Sequence, residues 1–109
     1  MKWEITYYNN DVEEEVFALP DKLLARYLRL TDLMEHYGAD LGMPHTEALG
    51  KGLFELRVKG KEGIARVFYC TMVGKQIHML HCFIKKTQKI PKRELNVARK
   101  RLKEVKEND

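Results

Sequence analysis

Between Leu49 and Pro91 the chain runs through three strand-like segments separated by two tight turns, and this stretch restricts the fold more than any other. Phe54, Leu56 and Val58 alternate with Glu55, Arg57 and Lys59, the period-2 pattern of a half-buried strand. Lys61-Glu62-Gly63 supplies a turn, Ile64 to Met72 is β-branched and aromatic, Gly74-Lys75 turns again, and Gln76 to Ile84 makes a third strand. Strands joined this closely form an antiparallel meander, so residues distant in sequence become neighbours across strands. Arg57, Arg66, Lys85 and Lys86 are thereby placed to converge on one concave surface.

The flanks suggest how that sheet is covered. Lys2 to Tyr8 is a short β-rich run, read as an edge or second strand. Asn9 to Asp11 is a turn that opens a first helix, with Asp11 and Glu14 in capping-box spacing, and Pro20 ends it. A second helix starts near Asp21, carries Leu23, Leu24, Tyr27, Leu28, Leu30, Met34 and Tyr37 at helical period, and stops at Gly38. The apolar stripe of this helical hairpin belongs on the sheet. Ala39 to Gly52 reads as a loop, with His45 solvated in it. After a basic loop (Lys85 to Lys89), Pro91 opens a last helix. Its stripe of Leu95, Ala98, Leu102 and Val105 is narrow, and the remainder is cationic. The expected order is β-α-α-β-β-β-α: one α+β domain spanning 1–109, an antiparallel sheet packed by an N-terminal helical hairpin and a basic C-terminal helix.

Charge is divided unevenly along the chain. Residues 1–48 hold four Lys/Arg against ten Asp/Glu, whereas residues 49–109 hold sixteen against six. A polyanion is the natural partner for the second half. No apolar run is long enough to cross a membrane, no secretory leader is legible, and Cys70 and Cys82 lack metal-ligand or CxxC spacing. Two buried reduced thiols in a cytoplasmic protein are expected. P-loop, dinucleotide, zinc-protease and nucleophile-elbow motifs are absent, and only Glu55 offers a carboxylate beside the basic surface. Metal-dependent chemistry and cofactors are therefore not expected. RNA cleavage needs neither, because the 2′-OH is a built-in nucleophile and arginines can stabilise charge on the phosphoryl oxygens. Arg57, Arg66, Lys85, Lys86, His78, His81 and Tyr69 are the groups available, and Lys59, Lys89, Lys92 and Arg93 add candidate phosphate contacts. Which histidine faces the site depends on the phase of the third strand; His81 lies nearer the basic loop.

The segment GLFELRVKGKEGIARVFY, the later MLHCFIKKTQKIPKRE and the basic final helix resemble the RelE/ParE superfamily of toxins, most closely its phage-derived Gp49-like, HigB-type branch. The resemblance covers about Leu49 to Lys103, through Glu55–Arg57, Arg66–Tyr69 and Phe83–Thr87. It implies the toxin of a type II toxin–antitoxin pair, a ribosome-dependent mRNA interferase that cuts mRNA in the A site without a metal. Its implied partners are mRNA, the ribosome and a cognate antitoxin, often a helix-turn-helix protein. By position Arg57 and Arg66 match the strand cations of the family's active surface, and Lys85 and Lys86 match its basic pair. The family's late catalytic tyrosine has no counterpart, since no Tyr follows Tyr69. His81, Tyr69 and Lys86 remain candidates for the base. Two alternatives share the fold: a ParE-like DNA gyrase inhibitor and a catalytically inert nucleic-acid-binding module.

Overall fold

A computed structural model describes residues 2–85 and 89–108. Five strands form one sheet in the order β1-β5-β4-β3-β2, from β1 (Glu4–Tyr7), β2 (Thr46–Gly50), β3 (Leu53–Gly60), β4 (Gly63–Met72) and β5 (Gln76–Lys85). The pairs β2–β3, β3–β4 and β4–β5 are antiparallel, and β1 lies parallel to β5 at one edge. Helices α1 (Asn10–Phe17) and α2 (Asp21–Tyr37) connect the two edge strands, and α3 (Lys92–Glu107) closes the chain.

The meander, the helical hairpin and the last helix follow the expected architecture. Two features depart from it: the sheet expected to be antiparallel is mixed, because the crossover through α1 and α2 leaves β1 parallel to β5, and one strand was not expected. The loop expected over Ala39 to Gly52 contains β2, a five-residue edge strand that gains its ladder only by pairing with β3. Local punctuation by Gly42, Gly50 and Gly52 hides it in the sequence. The N-cap of α1 is Asn9, whose side chain accepts from the Val12 amide, rather than Asp11. Gly38 ends α2 at φ 112°, a value only glycine adopts without strain.

The sheet is covered on both faces. Tyr27, Leu30 and Met34 of α2 and Val12 and Val16 of α1 pack with Leu56, Val58, Ala65, Val67, Tyr69 and Met79. On the other face Ala98 and Leu102 of α3 pack with Leu53, Phe68, Cys70 and Leu80. Strand β4 is buried continuously from Ala65 to Cys70. The expectation that β3 is half-buried therefore needs correction, since Glu55 on its polar face is fully buried. Truncating a core leucine such as Leu56 to Ala is expected to cost about 2–5 kcal/mol. Cys70 and Cys82 are free and buried in the cores of opposite faces, so the sheet separates the thiols. Burial, then Glu15, pushes the Cys82 thiol up to about 12.

Two register shifts break the sheet, one between Ala48 and Gly50 on β2 and one on β5, where Leu80 is the extra residue between Met79 and His81. Helix α3 binds the carbonyls at both. Arg101 donates to Leu80 O (2.7 Å), with its guanidinium 4.8 Å from the Tyr8 ring centroid. Arg99 donates to Gly50 O and Leu49 O (2.8 and 2.9 Å). The basic face of α3 is thus partly occupied in satisfying backbone groups.

Candidate functional site

Register aligns the residues of the α3 face into rows running across the strands. The first row holds Glu47, Glu55, Phe68 and His81, the second Arg57, Arg66 and Phe83, and the third Lys59, Ile64 and Lys85. Successive rows are two residues apart, about 7 Å along the strands. Among the charged groups of β3 and β4, exposure rises along the same direction: Glu55 is 0% exposed, Arg66 1%, Arg57 19% on its side chain, and Lys59 lies in solvent. The sheet thus passes from a buried acid to arginines to an open lysine.

Arg57 and Arg66 are direct cross-strand partners, an arrangement that like charges disfavour. Glu55 resolves it. Its Oε1 accepts from Arg57 Nε at 2.6 Å and from Arg66 Nη1 at 2.8 Å. Glu47 on β2 pairs with Arg57 Nη2, so two carboxylates and two guanidiniums form one neutral network. Such a network is costly to break from one side, because the remaining charge stays buried and uncompensated. The Oε2 atom of Glu55 has no hydrogen-bond partner among the described residues.

The bulge at Leu80 settles the histidines. In a regular strand His78 and His81, three apart, would point to opposite faces; the extra residue brings both to the α3 face. His81 pairs with Phe68, one row from Arg66, whereas His78 is four β4 positions from Arg66 and hydrogen-bonds Thr6 on β1 (2.7 Å). The His81 ring stacks on Phe68 and Phe83, with centroids 6.4 and 5.9 Å away, and its Nε2 lies 2.9 Å from Glu94 Oε1 in the first turn of α3. Its side chain is 13% exposed. Tyr69 packs in the core of the opposite face and donates to Ala39 O (2.5 Å), and burial raises its pKa. That placement removes Tyr69 as a base for groups beside Arg57.

The sheet thus gathers Arg57, Arg66, Lys59 and Lys85. Lys89 and Lys92 join Lys85 around a depression of about 380 Å³ at the entrance to α3. Arg93 is exposed in the first turn of that helix, outside the lining of the depression. Lys86 lies outside the described residues. No group of three or more His, Cys, Asp or Glu able to hold a metal occurs among the described residues. Sequence reasoning missed Glu47 and Glu94 as partners. It also missed a second cationic surface on α2, where Lys22, Arg26 and Arg29 recur at helical spacing.

The chain is similar to a solved chain of the archaeal RelE–RelB complex from Pyrococcus horikoshii OT3, with TM-score 0.58 and 19% identity over 82% of this chain and 100% of that one. At that identity the likeness shows a shared fold. Residues 14–103 match the sequence profile of the family described as phage derived protein Gp49-like, and the chain belongs to that family. No curated protein matches it.

Proposed function

We propose that this protein is the toxin of a type II toxin–antitoxin pair, a HigB-type mRNA interferase that acts in the ribosomal A site without a metal. The observation that carries the reading is the arginine row, flanked by an open lysine row, on the RelE fold of a Gp49-like chain. The partners that follow are mRNA, the ribosome and a cognate antitoxin, proposed to be a helix-turn-helix protein; the likeness to a chain crystallised in a RelE–RelB complex supports an antitoxin of some kind. A cytoplasmic site of action goes with these partners, and no described helix is long and apolar enough to cross a membrane.

In this mechanism the 2′-OH attacks the adjacent phosphorus, the P–O5′ bond breaks, and a 2′,3′-cyclic phosphate and a 5′-OH result. Arg57, the more exposed of the two guanidiniums, meets the phosphoryl oxygens, where a fixed guanidinium stabilises the charge that develops. Arg66 acts from behind, holding the Glu55 carboxylate that fixes Arg57 Nε. Lys59, Lys85, Lys89, Lys92 and Arg93 hold the flanking backbone. One proton leaves the 2′-OH and one reaches the 5′ oxygen. Lys86 and His81 are the groups proposed for these transfers, and His81 does so once its contact with Glu94 opens.

Ribosomes programmed with a defined message test the reading, with cleavage mapped by primer extension in the presence and absence of EDTA. Cuts at the A-site codon that survive EDTA and vanish with Arg66→Ala are expected. A second reading, a ParE-like gyrase inhibitor or an inert binding module on the same fold, is favoured by the burial of Arg66 in its ion pair. It predicts no cuts from wild type, and DNA supercoiling inhibited in the gyrase case.

A further inference from the structure

The acidic N-terminal half has four Lys/Arg, and three of them line one groove. Lys22, Arg26 and Arg29 sit at spacings of four and three on α2, which places them on one helix face. With His45 and the aliphatic Leu30 and Leu33 they bound a depression of about 640 Å³. Arg26, Leu30 and His45 also line a smaller adjoining depression of about 100 Å³, whose other walls include Arg57 and Lys59. The cationic face of α2 therefore runs by way of the smaller depression to Arg57 and Lys59 of β3. No carboxylate lines either depression, and Lys22, Arg26 and Arg29 form no ion pair among the described residues.

Like charges at these spacings weaken an isolated helix, and a bound anion would relieve their repulsion. The three cations span about 10 Å of helix axis, so they can meet separate phosphates of one strand. His45 is the single aromatic ring in the lining, and the other polar side chains there are cations, so the contacts are chiefly to the backbone and carry little base identity. The mRNA that the proposed activity cuts is single-stranded at its site of cleavage, and that strand is the one the groove would meet.

We infer that the α2 groove binds the phosphodiester backbone of single-stranded RNA and leads it to Arg57. This rests on reading the arginine row as the cleavage surface, and it adds a path for the substrate on the opposite side of β3 from the β5–α3 lysines.

Anisotropy of a labelled oligouridylate with the whole chain, across a salt series, tests the inference. Lys22→Ala/Arg26→Ala/Arg29→Ala should weaken binding at least about tenfold at low salt and reduce the salt slope by about 2, at roughly 0.7 per phosphate lost. Arg26→Lys/Arg29→Lys, which keeps the charge, should retain the slope, and circular dichroism should show both variants folded. Unchanged affinity and slope in the alanine variant, or no binding by wild type, would overturn the site. Loss of an oligoglutamate peptide with RNA binding intact would overturn it in favour of an acidic protein partner. Equal loss of a paired RNA of the same length would overturn the single-strand assignment. Cleavage by wild type on programmed ribosomes separates the two claims. Groove-dependent binding without cleavage sinks the interferase reading alone, whereas cleavage with unaltered binding in the alanine variant sinks the groove alone.

Discussion

Two arginines facing each other across adjacent strands repel, and Glu55 makes the arrangement stable by accepting from both. At this scale Glu55 should matter more than either cation it holds. Glu55→Ala leaves Arg57 and Arg66 opposed, one of them buried, and is expected to cost about 3–5 kcal/mol in urea unfolding. Combining Glu55→Leu with Arg66→Met removes both charges together and should restore much of that loss, whereas additive losses would show that the two side chains do not act as a pair. The network was only partly legible in the sequence. Glu55 and Arg57 share a strand face by their spacing, but Glu47 and Arg66 enter through register, which depends on how β2 and β4 pair with β3. The phase of His81 was hidden for a similar reason, since the extra residue at Leu80 has no residue-level signature.

Among the elements, α3 joins the sheet by more than its apolar stripe. Its arginines bind carbonyls at both bulges, which are groups the ladder itself leaves over. Arg99→Met or Arg101→Met is therefore expected to lower unfolding free energy by about 1–3 kcal/mol, whereas Lys100→Met and Lys103→Met, at exposed positions, should stay within about 0.5 kcal/mol. Equal small effects at all four sites would show that the carbonyl contacts carry no stability. The division of cations on α3 was not visible from its sequence, where they form one charged face. Strands β3, β4 and β5 were legible because alternation and turn residues agree locally. Strand β2 was not, because its order comes from an edge of β3 rather than from its own residues.

For the whole molecule, titration and catalysis give separate readings of the same core. Burial raises Cys82 to about 12, and raises Tyr27 and Tyr69 as well, so the folded chain keeps protons that the unfolded chain releases. For such groups stability is fully present below the unfolded pKa and falls as pH rises above it. Unfolding free energy should decline above about pH 9, at up to roughly 1.4 kcal/mol per pH unit from Cys82 alone. Native Cys82 should also resist alkylation at pH 8 and react on unfolding. A flat stability profile from pH 8 to 11, by urea titration, would contradict that account of the core.

The catalytic claim centres on Arg57, the guanidinium of the network that solvent reaches. Its most direct measurement is the single-turnover cleavage rate on programmed ribosomes for wild type, Arg57→Lys and Arg57→Ala, beside the unfolding free energy of each. The account predicts a rate loss of about 10²–10³ for Arg57→Ala with the variant still folded, and a loss for Arg57→Lys as well, because one ammonium cannot hold Glu55 and the phosphate as a guanidinium does. Wild-type cleavage that persists undiminished in folded Arg57→Ala would contradict it.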